Sequence, residues 1–235
     1  MNAVIKNVDD LLSLLDDLLK DEARFSWDEF YKKRDRNVPF FNNFPDENLV
    51  SYFDSSLINP GKVLELGCGP GRNAIYLSEK GCIVDAVDSS RIAIEWGKER
   101  ALKRNVTINF LKMNIFKLDI LESTYDFVYD SGYFHHIAPH RRMSYIDLIW
   151  NALKPGGYFA LTCFVEGGEF GGSPISDLEV YQLRSLQGGL GYTEEKLRQI
   201  FSDFEVIELR KMEKRSVTDR VFGVNGLWTA LFKKK

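Results

Sequence analysis

The sequence predicts an α/β fold: a parallel sheet with helices on both faces, closed by an antiparallel pair. Two observations carry the parallel part. From residue 62 onward, short apolar runs alternate with helical patterns, the signature of strands joined by helical crossovers. The runs themselves, such as "KVLEL" (62–66) and "GYFALTCF" (157–164), are almost continuously apolar, as strands covered on both sides must be. A third observation carries the closing pair. "FEVIELRKM" (204–212) and "RVFGVNGLWTALFKK" (220–234) follow each other with no helical pattern between them, which reads as a hairpin with a short link.

The elements follow in order. Leu11, Leu12, Leu15, Leu18 and Leu19 fall at helical spacing over 8–24, with Asp and Lys on the other face, so a helix packed on the body is expected. Its acidic polar face argues against a membrane helix. Residues 26–53 are rich in aromatics and broken by Pro39 and Pro45. They read as a short helix, an irregular stretch and a second helix from about Asp46. So many aromatics outside a periodic element suggest a cover over a site, the plain alternative being simple packing. The division expected is an arm over 1–45 and a main domain over 46–235. Strands follow at 62–66, 82–88, 106–113, 125–131 and 157–164, and helices at 71–80, 90–105 and 139–153. The last of these is halted by Pro155, Gly156 and Gly157. A helix over 193–201 opens on Thr193 as N-cap. The glycine-rich stretch 166–192 reads as a long structureless loop placed above the sheet as a lid, with Phe170 and Tyr181 lining a pocket.

Composition bounds the function. The 235 residues carry a formal net charge of -3, so nothing argues for a nucleic-acid backbone as partner. Three cysteines, none in a CxxC pair, point to reduced thiols and a cytoplasmic setting. No apolar run approaches a membrane span, and the first ten residues lack the basic flank and apolar core of a secretion signal.

"VLELGCGPGRNAIYL" (63–77) places Gly67, Gly69 and Gly71 between a strand and a helix. Such a loop brings backbone close to a ligand. It is not a dinucleotide fingerprint, because Arg72 follows where the third glycine would be sought, and it is not a phosphate-binding GxxxxGK[ST] loop. Asp88 closes the next strand, where a carboxylate accepts ribose hydroxyls; it can equally serve as the charge at the start of the following helix. Asn114, Ile115 and Phe116 follow the third strand at the height of an adenine ring.

These residues, with "LKPGGYFALTCF" (153–164), resemble the class I S-adenosylmethionine-dependent methyltransferases over roughly 45–235. The resemblance implies a Rossmann-like seven-stranded sheet in the order 3-2-1-4-5-7-6 with strand 7 antiparallel. It implies S-adenosyl-L-methionine, a cofactor without phosphate, held by Glu65, Gly67, Gly69, Gly71, Arg72, Asp88, Ser89, Asn114, Ile115, Phe116 and Asp130. Further along, Asp130, Gly132, Ile137, Pro139, Arg142 and Tyr145 resemble the thiopurine and the halide/thiol methyltransferases. "WDEFYKK" and "PFF" resemble their arm, which implies cofactor contacts from Trp27, Tyr31 and Phe40. "GRNAIYLSEKGCIVDAVD" (71–88) resembles the tellurite-resistance methyltransferases. These relatives methylate soft, polarisable nucleophiles.

All three histidines, His135, His136 and His140, lie in one short stretch after the fourth strand. The spacing of His136 and His140 invites a metal reading, but Pro139 interrupts the turn and no carboxylate set completes a sphere, so no metal is expected. His135 or His136 is the candidate base for a hydroxyl or amine acceptor. Otherwise the histidines pack beneath the cofactor. Arg142 is the candidate contact for an anionic substrate, or simply a surface arginine. The expected partner is a small molecule, a thiol, halide or oxyanion; O- or N-methylation, a non-catalytic cofactor-binding regulator and a nicotinamide dehydrogenase are the competing readings.

Overall fold

Among the residues described in the computed structural model, 4–19 and 25–235, the expected strands form one sheet. They are β1 (Lys62–Leu66), β2 (Ile83–Asp88), β3 (Asn109–Lys112), β4 (Tyr125–Ser131), β5 (Leu153–Phe164), β6 (Glu205–Lys211) and β7 (Leu227–Lys233). Their order is β3-β2-β1-β4-β5-β7-β6. The first five run parallel, and β7 lies antiparallel between β5 and β6.

Successive side chains of a strand point to opposite faces, and here both faces are covered. Leu64, Leu66 and Val128 pack with α6 (Arg142–Ala152) and α8 (Glu194–Ile200) through Ile149 and Leu197. Val63, Ala86, Phe127 and Tyr129 pack on the other side with α3 (Glu47–Asp54), α4 (Arg72–Glu79) and α5 (Arg91–Lys103) through Leu49, Ile75 and Ile94. Each fully buried Leu or Phe contributes roughly 2 kcal/mol, and the double cover explains why the strands read as continuous apolar runs.

Capping chemistry sets several ends. Thr193 Oγ1 accepts from the Lys196 amide at 3.2 Å and starts α8 as expected. The helix expected over 139–153 begins as a 3-10 turn, Pro139–Arg141, and ends at Ala152, before the proline. A residue preceding proline is pushed out of helical conformation, so the chain is already extended when it reaches Pro155.

Two expectations are corrected. The link between β6 and β7 is not short: it runs over 212–226, carries a turn at Val217–Asp219, and reaches back to the start of α3. There Phe222 donates its amide to the Pro45 carbonyl at 2.7 Å and accepts from the Glu47 amide at 2.8 Å. The stretch 166–192 is not structureless either. It holds α7 (Asp177–Leu183), opened by a capping box between Ser176 and Glu179.

At the N-terminal side, α1 (Val8–Leu18) is capped by Asn7. The continuation expected over 20–24, like residues 1–3, lies outside the described residues. The arm continues with α2 (Trp27–Lys32) and a turn at Pro39–Phe41. Tyr31 and Phe41 pack on Ala93 and Trp96 of α5. Asp28 ties the arm down: its Oδ1 accepts from Ser90 Oγ at 2.6 Å and from the Ile92 amide at 3.2 Å.

Candidate active site

A cavity of about 500 Å³ opens over the carboxyl ends of β1, β2, β4 and β5, where open α/β sheets bind ligands. One half is built from backbone. Gly67 and Gly69 have φ of +64° and +51°, left-handed values that favour glycine. A Cβ on Gly67 would come within 2.6 Å of Tyr133 Cβ, and one on Gly69 within 2.9 Å of the Tyr31 hydroxyl. Only a chain without side chains there lets the arm and the β4 loop approach this closely.

The loop's amides are already committed. Cys68 N donates to Val87 O at 2.9 Å, Gly71 N to Cys68 O at 3.0 Å, and Gly69 N to Asp88 Oδ2 at 2.8 Å. Amides turned inward in this way cannot cradle a phosphate, which needs them facing the ligand. Asp88 takes a second bond from Ser90 N at 2.7 Å on Oδ1. A carboxylate offers about four acceptor sites, so two remain for hydroxyl donors. Burial pushes its pKa up, opposed by these amide bonds.

Glu65 is buried and its Oε2 has no partner among the described residues. Burial raises its carboxyl well above the usual range, with the nearby Arg72 charge opposing. Arg72 itself is held by an ion pair with buried Asp46 at 2.6 Å and by bonds to the Phe44 carbonyl (3.1 Å) and Ser131 Oγ (2.9 Å). The Phe222 ring covers it at 4.4 Å. Ser89, Asn114 and Ile115 line the same half, with Asn114 Oδ1 accepting from the Phe116 amide at 3.0 Å.

The other half is built from rings. His135 stacks on Phe164, centroids 3.6 Å apart and planes 20° from parallel. Trp27 meets His136 edge-on at 5.1 Å. Phe170, Phe222 and Leu227 also line the cavity, as do Phe40 and Tyr31, the latter with its hydroxyl beside Gly69. Burial lowers the pKa of His135 well below its ordinary value and that of His136 to about 4. Both are neutral at pH 7. Nδ1 of His135 is buried without a partner among the described residues.

Several expected site residues stand elsewhere. Asp130 lies fully buried below the cavity; Oδ1 accepts from the Tyr133 amide at 2.8 Å and Oδ2 from Tyr145 Oη at 2.5 Å. It shapes the turn carrying the histidines, and burial raises its pKa to about 7. Phe116 packs on the core under Arg141, and Gly71 abuts Phe110 behind the loop. Arg142 is turned away from the cavity into an ion pair with Asp177 of α7 at 2.7 Å. Tyr181, expected in the pocket, is also on α7: its hydroxyl meets the backbone amide and Nδ1 of His140, each at 3.0 Å. The far nitrogen of His140 meets Asp16 of α1 at 2.9 Å. His136 and His140 thus serve different neighbourhoods, and among the described residues no group of three or more His, Cys, Asp or Glu is placed to hold a metal.

Sequence reasoning missed Asp46, Phe164, Phe222 and Val224. Phe164 ends β5, so the rule that ligands sit beyond strand ends could have found it. Asp46 is legible as the start of a helix but not as the partner of Arg72, and Phe222 and Val224 belong to the irregular link between β6 and β7.

Residues 63–157 match the family model described as "Methyltransferase domain". An uncharacterized methyltransferase of Synechocystis sp. is 33% identical over 52% of this chain and 52% of its own length. The probable S-adenosyl-L-methionine-dependent methyltransferase TehB of Haemophilus influenzae is 35% identical over 44% of this chain and 36% of its own. The chain thus spans about half, or less, of the length of these curated relatives. Among solved structures, that of Haemophilus influenzae TehB aligns with a TM-score of 0.60 at 24% identity, covering 88% of this chain and 66% of that one. Burkholderia thailandensis 1,6-didemethyltoxoflavin-N1-methyltransferase, solved with S-adenosylhomocysteine, aligns with a TM-score of 0.65 at 18% identity, covering 100% and 93%.

Proposed function

We infer that the chain is a class I S-adenosylmethionine-dependent methyltransferase, and we propose that it methylates a small molecule at a soft, polarisable atom: a thiol, a halide or an oxyanion. The observation that carries the reading is the union of the two halves in one cavity. A loop with its amides turned inward suits a cofactor without phosphate, and it faces a ring-lined chamber whose histidines are neutral.

The residues present fit S-adenosylmethionine. Asp88 has two acceptor positions left for ribose hydroxyls, and the partnerless Glu65 Oε2 waits for a donor such as an ammonium group. Gly67 and Gly69 give room for the chain between them, and Asn114 with Ile115 would border the base. When bound, this cofactor supplies a methyl group already activated by positive sulfur. The protein's share is to position and to exclude water. The Trp27, Tyr31 and Phe40 cover does the second task, and the His135–Phe164 stack does the first.

The acid–base demands separate the possible acceptors. An alcohol or an ammonium acceptor needs a base titrating near the working pH. With a pKa of about 4, His136 is a weak base, and His135 lies well below its ordinary value too. A thiol that ionises in water needs neither. The test is a methylation screen over thiols, halides, oxyanions, alcohols and amines, read out as S-adenosylhomocysteine formed. Turnover confined to alcohols or amines would overturn the soft-nucleophile reading. Cofactor binding with no turnover across the panel would favour a non-catalytic binder.

A further inference from the structure

The link between β6 and β7 brings Phe222 and Val224 to the cavity. Apart from the turn at Val217–Asp219 it holds no helix or strand. A wall built from irregular chain needs fastening, because ordering such backbone costs conformational entropy. One residue supplies much of that fastening. Glu47, the first residue of α3, is buried and does not itself line the cavity. Its Oε1 accepts from Arg210 Nη1 at 2.6 Å and from the Glu213 amide at 2.9 Å, and its Oε2 accepts from Arg210 Nη2 at 3.0 Å. A bidentate pair of this kind fixes direction as well as distance. The Glu47 amide donates to the Phe222 carbonyl at 2.8 Å. The same residue thus grips the link where it leaves β6 and again where it reaches the cavity.

The two grips are joined across the link. The Arg215 amide donates to the Gly223 carbonyl at 3.0 Å, and a Cβ on Gly223 would come within 2.1 Å of the Glu213 carbonyl oxygen. The chain folds back on itself between the grips, which leaves Phe222 little freedom of its own. Its ring lies 4.4 Å from the Arg72 guanidinium, and Arg72 donates to Ser131 Oγ at the end of β4. Arg210 does not depend on Glu47 for a counter-charge. Glu208 stands 3.2 Å from its Nε and is held by the Tyr52 hydroxyl, which donates to it at 3.0 Å. What Glu47 adds beyond charge is its hold on the link.

We infer that Glu47 is a positioning residue: it clamps the 212–226 link at Glu213 and at Phe222, so that Phe222 and Val224 stand as a fixed wall of the cavity before any ligand enters. A wall set in advance spares a ligand the cost of ordering it. The consequence for acceptor KM rests on the methyl-transfer reading above; the clamp itself does not.

The experiment reads Phe222 directly, in the full chain without ligand. Residue 222 is replaced by para-fluorophenylalanine and its fluorine resonance is recorded, with amide exchange of 212–226 followed by mass spectrometry. Wild type should give one resonance, displaced from its value in denaturant. In Glu47→Ala it should move towards the denatured value. Exchange in the link should quicken about tenfold, the loss of a hydrogen bond to a charged group, while residues 62–71 keep their rate. Glu47→Met combined with Arg210→Met separates positioning from stability. Apolar replacement of both partners removes the cost of a broken ion pair but leaves the Glu213 amide without its acceptor. The unfolding midpoint of that variant should return close to the wild-type value with the resonance still displaced. For the thiol turned over best in the methylation screen, its KM should rise several-fold at constant kcat and unchanged S-adenosylhomocysteine affinity. A resonance unmoved in Glu47→Ala, or one that returns to its wild-type position together with stability, overturns the inference. Absence of S-adenosylhomocysteine binding would remove the methyl-transfer reading and leave the fluorine signal to decide on the clamp.

Discussion

The two halves of the cavity are built by opposite means. Around Gly67 and Gly69 the surface is main chain, and the amides of Cys68, Gly69 and Gly71 are satisfied before any ligand arrives, which leaves the carboxyl groups of Asp88 and Glu65 as the open polar positions. Around His135, Phe164 and Trp27 it is side chain, and the polar groups that might have served a substrate are turned outward to fasten α7 and α1. A backbone-built half tolerates few substitutions and suits a ligand that stays constant. A half walled by rings can change its occupant by exchanging side chains, while the fastenings behind it hold the frame.

Breaking the support beneath the cofactor half should have the largest effect. Asp46→Ala leaves the Arg72 guanidinium buried without its counter-charge, which costs about 3–5 kcal/mol of stability. Denaturant unfolding measures it, and a loss below about 1 kcal/mol would show that water reaches the pair. Next comes the proposed ligand contact. Asp88→Ala should weaken S-adenosylhomocysteine binding by about 2 kcal/mol, the worth of hydrogen bonds to a charged group, with thermal melting to confirm that the variant is folded.

In the ring-lined half the expected effects are smaller. Arg142→Ala removes a pair whose Asp177 partner is 60% exposed. A loss of at most about 1 kcal/mol in stability is expected, with KM for a neutral acceptor unchanged; a large rise in KM would place Arg142 on the substrate after all. The smallest effect is on pH dependence. Burial lowers the folded-state pKa of His136 to about 4, so the ring is neutral at all higher pH. The rate with a thiol should then show no limb near pH 6.5 and should rise with ionisation of the thiol itself.

Below the site the sign is reversed. The pKa of Asp130 is raised to about 7 by burial, so its carboxyl is protonated in the folded protein where it would be ionised unfolded. The stability this lends is full below about pH 4 and is lost as pH rises towards 7. Compared with Asp130→Asn, the wild type should lose stability over that window. A parallel pair of curves would mean that the group stays ionised.

The same contrast governs what the sequence discloses. The strands, the order of helices and the glycine loop follow from period and composition, because a strand buried on both faces and a left-handed loop admit few residue types. Asp88 is legible because it ends a strand. Arg142 is not: its helix is evident, but the direction of its side chain depends on Asp177, which belongs to a segment read as loop. The capping-box pattern Ser176-Asp177-Leu178-Glu179 was the available signal for α7. Asp46 and Phe222 meet across far-separated irregular segments, and no local pattern announces such a pairing.

The central claim is that the main-chain half holds S-adenosylmethionine through Asp88. Calorimetric titration of wild type and Asp88→Ala with S-adenosylhomocysteine and with NAD tests it most directly. The account predicts one site for S-adenosylhomocysteine, weakened about thirtyfold in the variant, and no heat from NAD. Binding of NAD in its place, or an affinity for S-adenosylhomocysteine unchanged by the substitution, would contradict it.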